Sequence, residues 1–107
     1  MKTYALQADL CKALSHPIRL QVLDILCKRE RSVEELAKLV GTGQSNLSQH
    51  LAALRRQKLV VPRRAGMNVY YGLSNSKVAD TCWHIRELLA DLRERDQRAV
   101  TSLEVSR

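Results

Sequence analysis

Apolar positions along the chain fall into six stretches, and their spacing changes twice. Between Thr3 and Leu14, Tyr4, Ala8 and Cys11 recur at helical intervals with Leu10 and Leu14 beside them. That spacing predicts an amphipathic helix. The run "SHPIRL" restarts the pattern, with Pro17 suited to a first helical turn, where its missing N–H costs nothing. A second helix to about Lys28 is expected to bury Ile18, Leu20, Leu23 and Leu26. In "RSVEELAKLVG", Ser32 and Glu35 have capping-box spacing and Gly41 sits where a left-handed C-cap belongs. Only Thr42 and Gly43 separate this short helix from a fourth, whose face is set by Leu47, Leu51, Leu54 and Leu59. The period then falls to two. Val61, Arg63, Val69, Tyr71 and Leu73 alternate as in strands, "RAGMN" supplies a turn, and Pro62, having no N–H, belongs on an edge. After the caps offered by Ser74 to Ser76, Val78, Cys82, Ile85, Leu89 and Leu92 return to helical spacing.

Two short helices joined by a tight glycine turn read as a helix-turn-helix. Five helices and one small β-hairpin in this order predict a mainly α winged helix-turn-helix, filling residues 1–107 as a single domain. The fourth helix begins with Gln44, Ser45, Asn46, Ser48 and Gln49, all uncharged and all able to hydrogen-bond. Recognition helices meet the major groove with such residues, while His50 and Leu51 turn towards the domain. An ordinary solvent-facing helix start carries Glu, Asp or Lys more often.

Charge sharpens this reading. The net charge is +7, and between Leu36 and Ala79 stand Lys38, Arg55, Arg56, Lys58, Arg63, Arg64 and Lys77 without a single acid. The rest of the chain is neutral, so the excess belongs to the middle segment. A surface cleared of acids fits a polyanion, here double-stranded DNA. Arg55, Arg56, Arg63 and Arg64 are the expected phosphate contacts. The faces formed by Tyr4, Ala8 and Cys11, and by Val78, Ile85, Leu89 and Leu92, are too apolar to stay wet and predict a homodimer through the first and last helices.

Composition excludes several alternatives. At 45% hydrophobic residues the chain should fold, and no apolar run approaches the ~18 residues of a membrane span. Asp9 and Lys12 interrupt the N-terminal apolar pattern, so no signal peptide is expected there. Three widely spaced cysteines fit a cytoplasmic protein better than a disulfide-stapled one. Cys82 and His84 are two apart on a helix and cannot form a nucleophile pair locally. No phosphate-binding glycine loop or metalloprotease motif is present, so no enzyme is expected. A basic protein-interaction module would explain the charge but not the polar start of the fourth helix.

The runs "ALSHPIRLQVLDIL", "SVEELAKLVGTGQSNLSQHLAALRRQKLV" and "PRRAGMNVYYGLS" resemble the ArsR–SmtB family of bacterial winged helix-turn-helix repressors. The resemblance implies a cytosolic homodimer that binds imperfect inverted repeats and leaves when an inducer binds or oxidises it. It places recognition at Gln44, Ser45, Asn46, Ser48 and Gln49, and the wing at Arg63 to Asn68. Gly43 stands where the family often has a capping serine, and Lys58 where it often has a glycine. The family's metal-site positions fall on Ser32 and Glu34, and on Asn75, Lys77, Leu88 and Asp91, which are mostly poor ligands. Cys82, partnered by Cys27 or Cys11, is the candidate sensor. Three thiolates suit trivalent arsenic or another thiophilic ion, and two suit a redox or polysulfide bridge. Asp80 and His84 share a helix face near Cys82 and could add hard ligands. A regulator whose cysteines are only core remains the alternative.

Overall fold

A computed structural model describes residues 2–105, with side-chain surroundings for residues 2–98. Its elements are α1 (Lys2–Ala13), α2 (Pro17–Leu26), β1 (Arg31–Ser32), α3 (Val33–Val40), α4 (Gln44–Arg56), β2 (Val60–Ala65), β3 (Asn68–Leu73) and α5 (Ser76–Val105). The five helices stand where the apolar spacing put them. Pro17 opens α2 at the first turn, behind His16 as N-cap. Ser32 and Glu35 close a full capping box on α3, and Gly41 ends that helix with φ 78°.

The wing holds one strand more than the hairpin. β1 pairs with β3, which pairs with β2, giving an antiparallel sheet in the order β1-β3-β2. Two residues are too few to show an alternation, and their pairing partners lie some forty positions away in the sequence: Arg31 opposite Tyr71 and Ser32 opposite Tyr70. Pro62 lies on the edge strand β2, where no ladder needs its N–H. Ala65 pairs with Asn68 across a two-residue turn, and Gly66 at its first central position takes φ 62°.

The core forms where α2, α3 and α4 meet the sheet. Val22, Leu23, Leu36, Leu47, Leu51, Leu54 and Val60 are fully buried, each worth about 1.5–3 kcal/mol of transfer free energy. Leu20 is not among them. It is exposed on the side of α2 that faces α5, so the expected burial at this position fails. Val78 also departs from expectation. At 8% exposure it belongs to the protomer's own core, not to a face left for a partner.

α4 ends in an unusual way. Leu59 N–H donates to the Leu54 carbonyl at 3.1 Å and Lys58 N–H to that of Arg55 at 2.9 Å. This is the two-bond ending that normally wants glycine at its left-handed position. Here Lys58 holds that position with φ 60°, alone among the described non-glycine residues in having a positive φ.

Candidate nucleic-acid interface

The periodicity of α4 divides it cleanly. Leu47, His50, Leu51, Ala53 and Leu54 are buried, whereas Gln44, Ser45, Asn46, Ser48 and Gln49 are exposed. Gly43 caps the helix without a side-chain bond, and no acid stands in the first turn. The first amides of α4 are therefore left for an incoming acceptor, at the positive end of the helix dipole. Asn46 Nδ2 donates to Thr42 Oγ1 at 2.9 Å, which holds that side chain in place before any ligand arrives. Thr42 was not singled out in the sequence. Its spacing of four from Asn46 is the signal that could have found it.

Beside this surface runs a shallow groove lined by Ser48, Ala52, Arg55, Arg56 and Tyr71, between α4 and the wing. Pro62 pairs directly with Tyr71, and Arg64 lies two residues further along β2. Alternation therefore puts Arg64 on the groove's side of the sheet. Arg55, Arg56 and Arg64 are exposed, and none has a carboxylate partner among the described residues. Asn68 is exposed at the start of β3, and Met67 stands at the wing tip, out in solvent.

Arg63 is placed differently from its neighbour. It lies on the opposite face of β2, where its Nε donates to Glu30 Oε1 and Oε2 at 3.0 and 3.2 Å and its Nη2 to Oε1 at 2.7 Å. Its guanidinium also sits 5.0 Å above the Tyr70 ring. The hydrogen bond from Arg63 holds the Glu30 carboxyl below its usual range, and the same bond raises Arg63 further. This guanidinium fastens the wing to the segment between α2 and β1, turned away from α4. Nothing local in the sequence marks Glu30 for this part, since its partner is 33 residues away.

The faces expected to pair chains are largely open. Tyr4 is 75% exposed, Ala8 and Cys11 are exposed, and Ile85, Leu89 and Leu92 are about half exposed. Leu6, Trp83 and Leu88 extend this apolar surface. Of α1, only Ala13 is buried.

The cysteines separate into two groups. Cys27 and the half-buried Cys82 line one cleft between α2 and α5, together with Leu20, Asp24, Trp83 and Arg86. Cys11 is exposed on α1 and does not line it. Burial raises both cleft thiols above the ordinary value; Asp24 adds to the rise at Cys27, and Cys27 itself to that at Cys82. Asp80 also borders the cleft, while His84 Nδ1 lies 3.1 Å from Glu87. Among the described residues no three His, Cys, Asp or Glu side chains are grouped so as to hold a metal ion.

A helix-turn-helix whose second helix has an acid-free outer face, followed by a basic hairpin that completes a three-stranded sheet with β1, defines a winged-helix DNA-binding protein. The comparisons with known proteins agree. Residues 16–61 match the model of the bacterial regulatory protein, arsR family. A helix-turn-helix transcriptional regulator of Mycobacterium tuberculosis, Rv0081, is 41% identical over 88 residues, covering 81% of this chain and 77% of the relative. Its crystal structure superposes with TM-score 0.85 at 37% identity, covering 90% of this chain and 97% of that one. A homodimeric winged helix-turn-helix DNA-binding domain from Mycobacterium bovis, Mb0332, gives TM-score 0.81 at 32% identity, covering 88% of this chain and 87% of that one. The biofilm growth-associated repressor of Xylella fastidiosa is 43% identical over 72 residues, 67% of this chain and 63% of the repressor. The chain belongs to the ArsR family of bacterial regulatory proteins. It is a DNA-binding transcription regulator and not an enzyme.

Proposed function

We propose that two copies of this chain pair through α1 and α5, hold an imperfect inverted repeat in duplex DNA, and repress a promoter until an inducer acts. The observation that carries this reading is the outer surface of α4. Five uncharged polar side chains are exposed on its first turns, with Arg55, Arg56 and Arg64, which have no carboxylate partner among the described residues, beside them. Gln and Asn suit adenine edges, while the arginines suit phosphate.

Pairing is supported by shape. The radius of gyration is 17.5 Å, against about 13 Å for a compact chain of this length. α5 alone runs for 30 residues, and its apolar positions Ile85, Leu89 and Leu92 are about half exposed. A two-fold dimer would cover them and set the recognition helices about one DNA turn (~34 Å) apart. The relatives named as a homodimer and as a repressor point the same way. The cytoplasm, where such DNA lies, is the location that fits, and no helix among the described residues is long and apolar enough to cross a membrane.

For the inducer, the reading rests on Cys27 and Cys82 in their shared cleft. Two thiols suit a bridge better than a three-thiolate site for trivalent arsenic. Polysulfide could join them as a disulfide, its sulfane sulfur leaving as hydrogen sulfide with the two thiol protons. Because α5 carries the pairing face, such a bond would act on the spacing of the two α4 helices. The thiolate is the attacking form, so the raised thiols make the reaction slow at neutral pH and faster as pH rises.

Gel shifts on the DNA upstream of the chain's own coding sequence test both parts. Binding should weaken steeply with salt, and polysulfide should release the wild type but not Cys27→Ser or Cys82→Ser, with Cys11→Ser behaving as wild type. Arsenite, zinc, cadmium and peroxide are the comparison inducers. Salt-insensitive or absent duplex binding would overturn the DNA reading. Release of a protein with Ser at all three cysteine positions would leave a regulator whose cysteines sense nothing.

A further inference from the structure

His50 lies on the inner side of α4 at 9% exposure, a buried polar side chain in an otherwise apolar core. Its Nδ1 accepts a hydrogen bond from Arg19 Nε at 3.1 Å. Arg19 Nη1 also donates, at 3.4 Å, to the carbonyl of Ala13, the last residue of α1. The ring of His16 packs against that of His50, centroids 4.3 Å apart and planes tilted by 47°. His16 Nδ1 accepts the Ile18 N–H and so caps α2. Through Arg19, the end of α1 is tied to the inner side of α4.

A guanidinium can only donate, so the bond requires a bare Nδ1 on His50 and a neutral ring with its proton on Nε2. The charged or titratable groups facing His50 are Arg19 in α2 and His16 at the head of that helix. Among the described residues α3 and β2, which also pack on α4, set no charged group against it, and no carboxylate offsets Arg19. A proton on Nδ1 would turn the acceptor into a donor facing a donor. It would also bring a second cation against the guanidinium in a site with little water.

We propose that Arg19 and His50 form a proton-sensitive latch that positions the recognition helix for DNA, closed while His50 is neutral and released when it is protonated. His50 is a positioning residue here, since it lies on the buried side of α4, opposite the polar side chains offered to DNA. Burial first, then His16 and Arg19, hold its protonation below the ordinary value of 6.5. The unfolded chain therefore takes this proton more readily than the folded one. The latch's contribution is whole above about pH 6.5 and is lost as pH falls below it. General electrostatics runs the other way, because acid adds positive charge and should strengthen binding to a polyanion. Affinity that falls in acid is thus the signature of the latch.

Its effect on affinity rests on the DNA reading, but its closure can be read without DNA. A fluorescein-labelled duplex, selected from a random pool on the wild-type protein at pH 8, is titrated by anisotropy between pH 8 and 5.5. Hydrogen exchange of the amides in Gln44–Arg56 is followed over the same range. Wild-type affinity should fall below pH 6.5, by at most about tenfold per pH unit for each protomer, and the protection of α4, taken against the intrinsic amide exchange rate at each pH, should fall with it. His50→Asn keeps an acceptor near the Nδ1 position but does not titrate, so both profiles should flatten or reverse. Should that variant not fold, Arg19→Gln must flatten them instead, because its amide can turn an oxygen to the charged ring. Profiles shared by wild type and these variants, or α4 protection unmoved from pH 8 to 5.5, would overturn the latch. If no duplex binds at pH 8 the DNA reading fails, and the exchange profile still decides the latch.

Discussion

Replacing Lys58 by Gly should make the protein more stable. Lys58 holds φ 60° at the end of α4, fixed there by the Leu59-to-Leu54 and Lys58-to-Arg55 backbone bonds and by the burial of Leu54 and Leu59. An L-residue in this region costs about 1–2 kcal/mol. Glycine escapes that cost but surrenders about 0.5–1 kcal/mol of backbone entropy on folding. The net gain is about 0.5–1 kcal/mol, which for a domain of this size raises the melting temperature by roughly 3–6 °C. Gly41, at φ 78° where α3 ends, shows the same position filled without strain. Thermal and urea melts at one fixed protomer concentration give the measurement, since a dimer's midpoint moves with concentration. Lys58→Ala is the control, because it removes the charge and keeps the strain. A glycine variant no more stable than wild type would refute the reasoning, as would an alanine variant that gains as much.

Arg64→Ala should weaken binding to every duplex and flatten the salt slope by about 0.9 for each protomer bound, as expected for one lost phosphate contact per half-site. Arg63→Ala and Glu30→Ala should instead behave alike, loosening the wing through one shared ion pair; a salt slope changed by Arg63→Ala but not by Glu30→Ala would contradict this. Gln44→Ala or Gln49→Ala should relax base preference by about 1–3 kcal/mol, read as a reduced gap between selected and random duplexes. Leu89→Glu should give monomers in sedimentation that bind DNA poorly, and a stable dimer of that variant would exclude α5 from the pairing face.

Periodicity made the helices and the hairpin legible, because a buried stripe repeats within a few residues of itself. The capping box at Ser32 and the left-handed Gly41 were readable for the same reason: their partners are near in sequence. The split of α4 into a buried and an exposed side followed from the leucine spacing alone. What escaped depends on distant pairing. The strand at Arg31–Ser32 exists only because β3 comes back beside it. Arg63 and Arg64 look equivalent as neighbours, yet they project from opposite faces of β2, and Glu30 claims one of them. Val78 fits the apolar stripe of α5, but that stripe begins inside the protomer and emerges only further along. Cys27 and Cys82 share a cleft only because α2 and α5 come together.

The sheet has its own bearing on how copies of the chain meet. Its outer strands are β1, two residues long, and β2, which carries Pro62 and two arginines. A free strand edge is a template for adding strands from other molecules, and such growth has no natural end. A missing N–H in the middle of β2, with cations on either face, makes that edge a poor template, and β1 is too short to extend one. Growth through backbone ladders is thereby disfavoured, while the apolar helices α1 and α5 stay open to the proposed two-fold pairing, which would stop at two copies. The proline that leaves the wing's outer edge without a donor there disfavours the strand-by-strand addition that builds fibres.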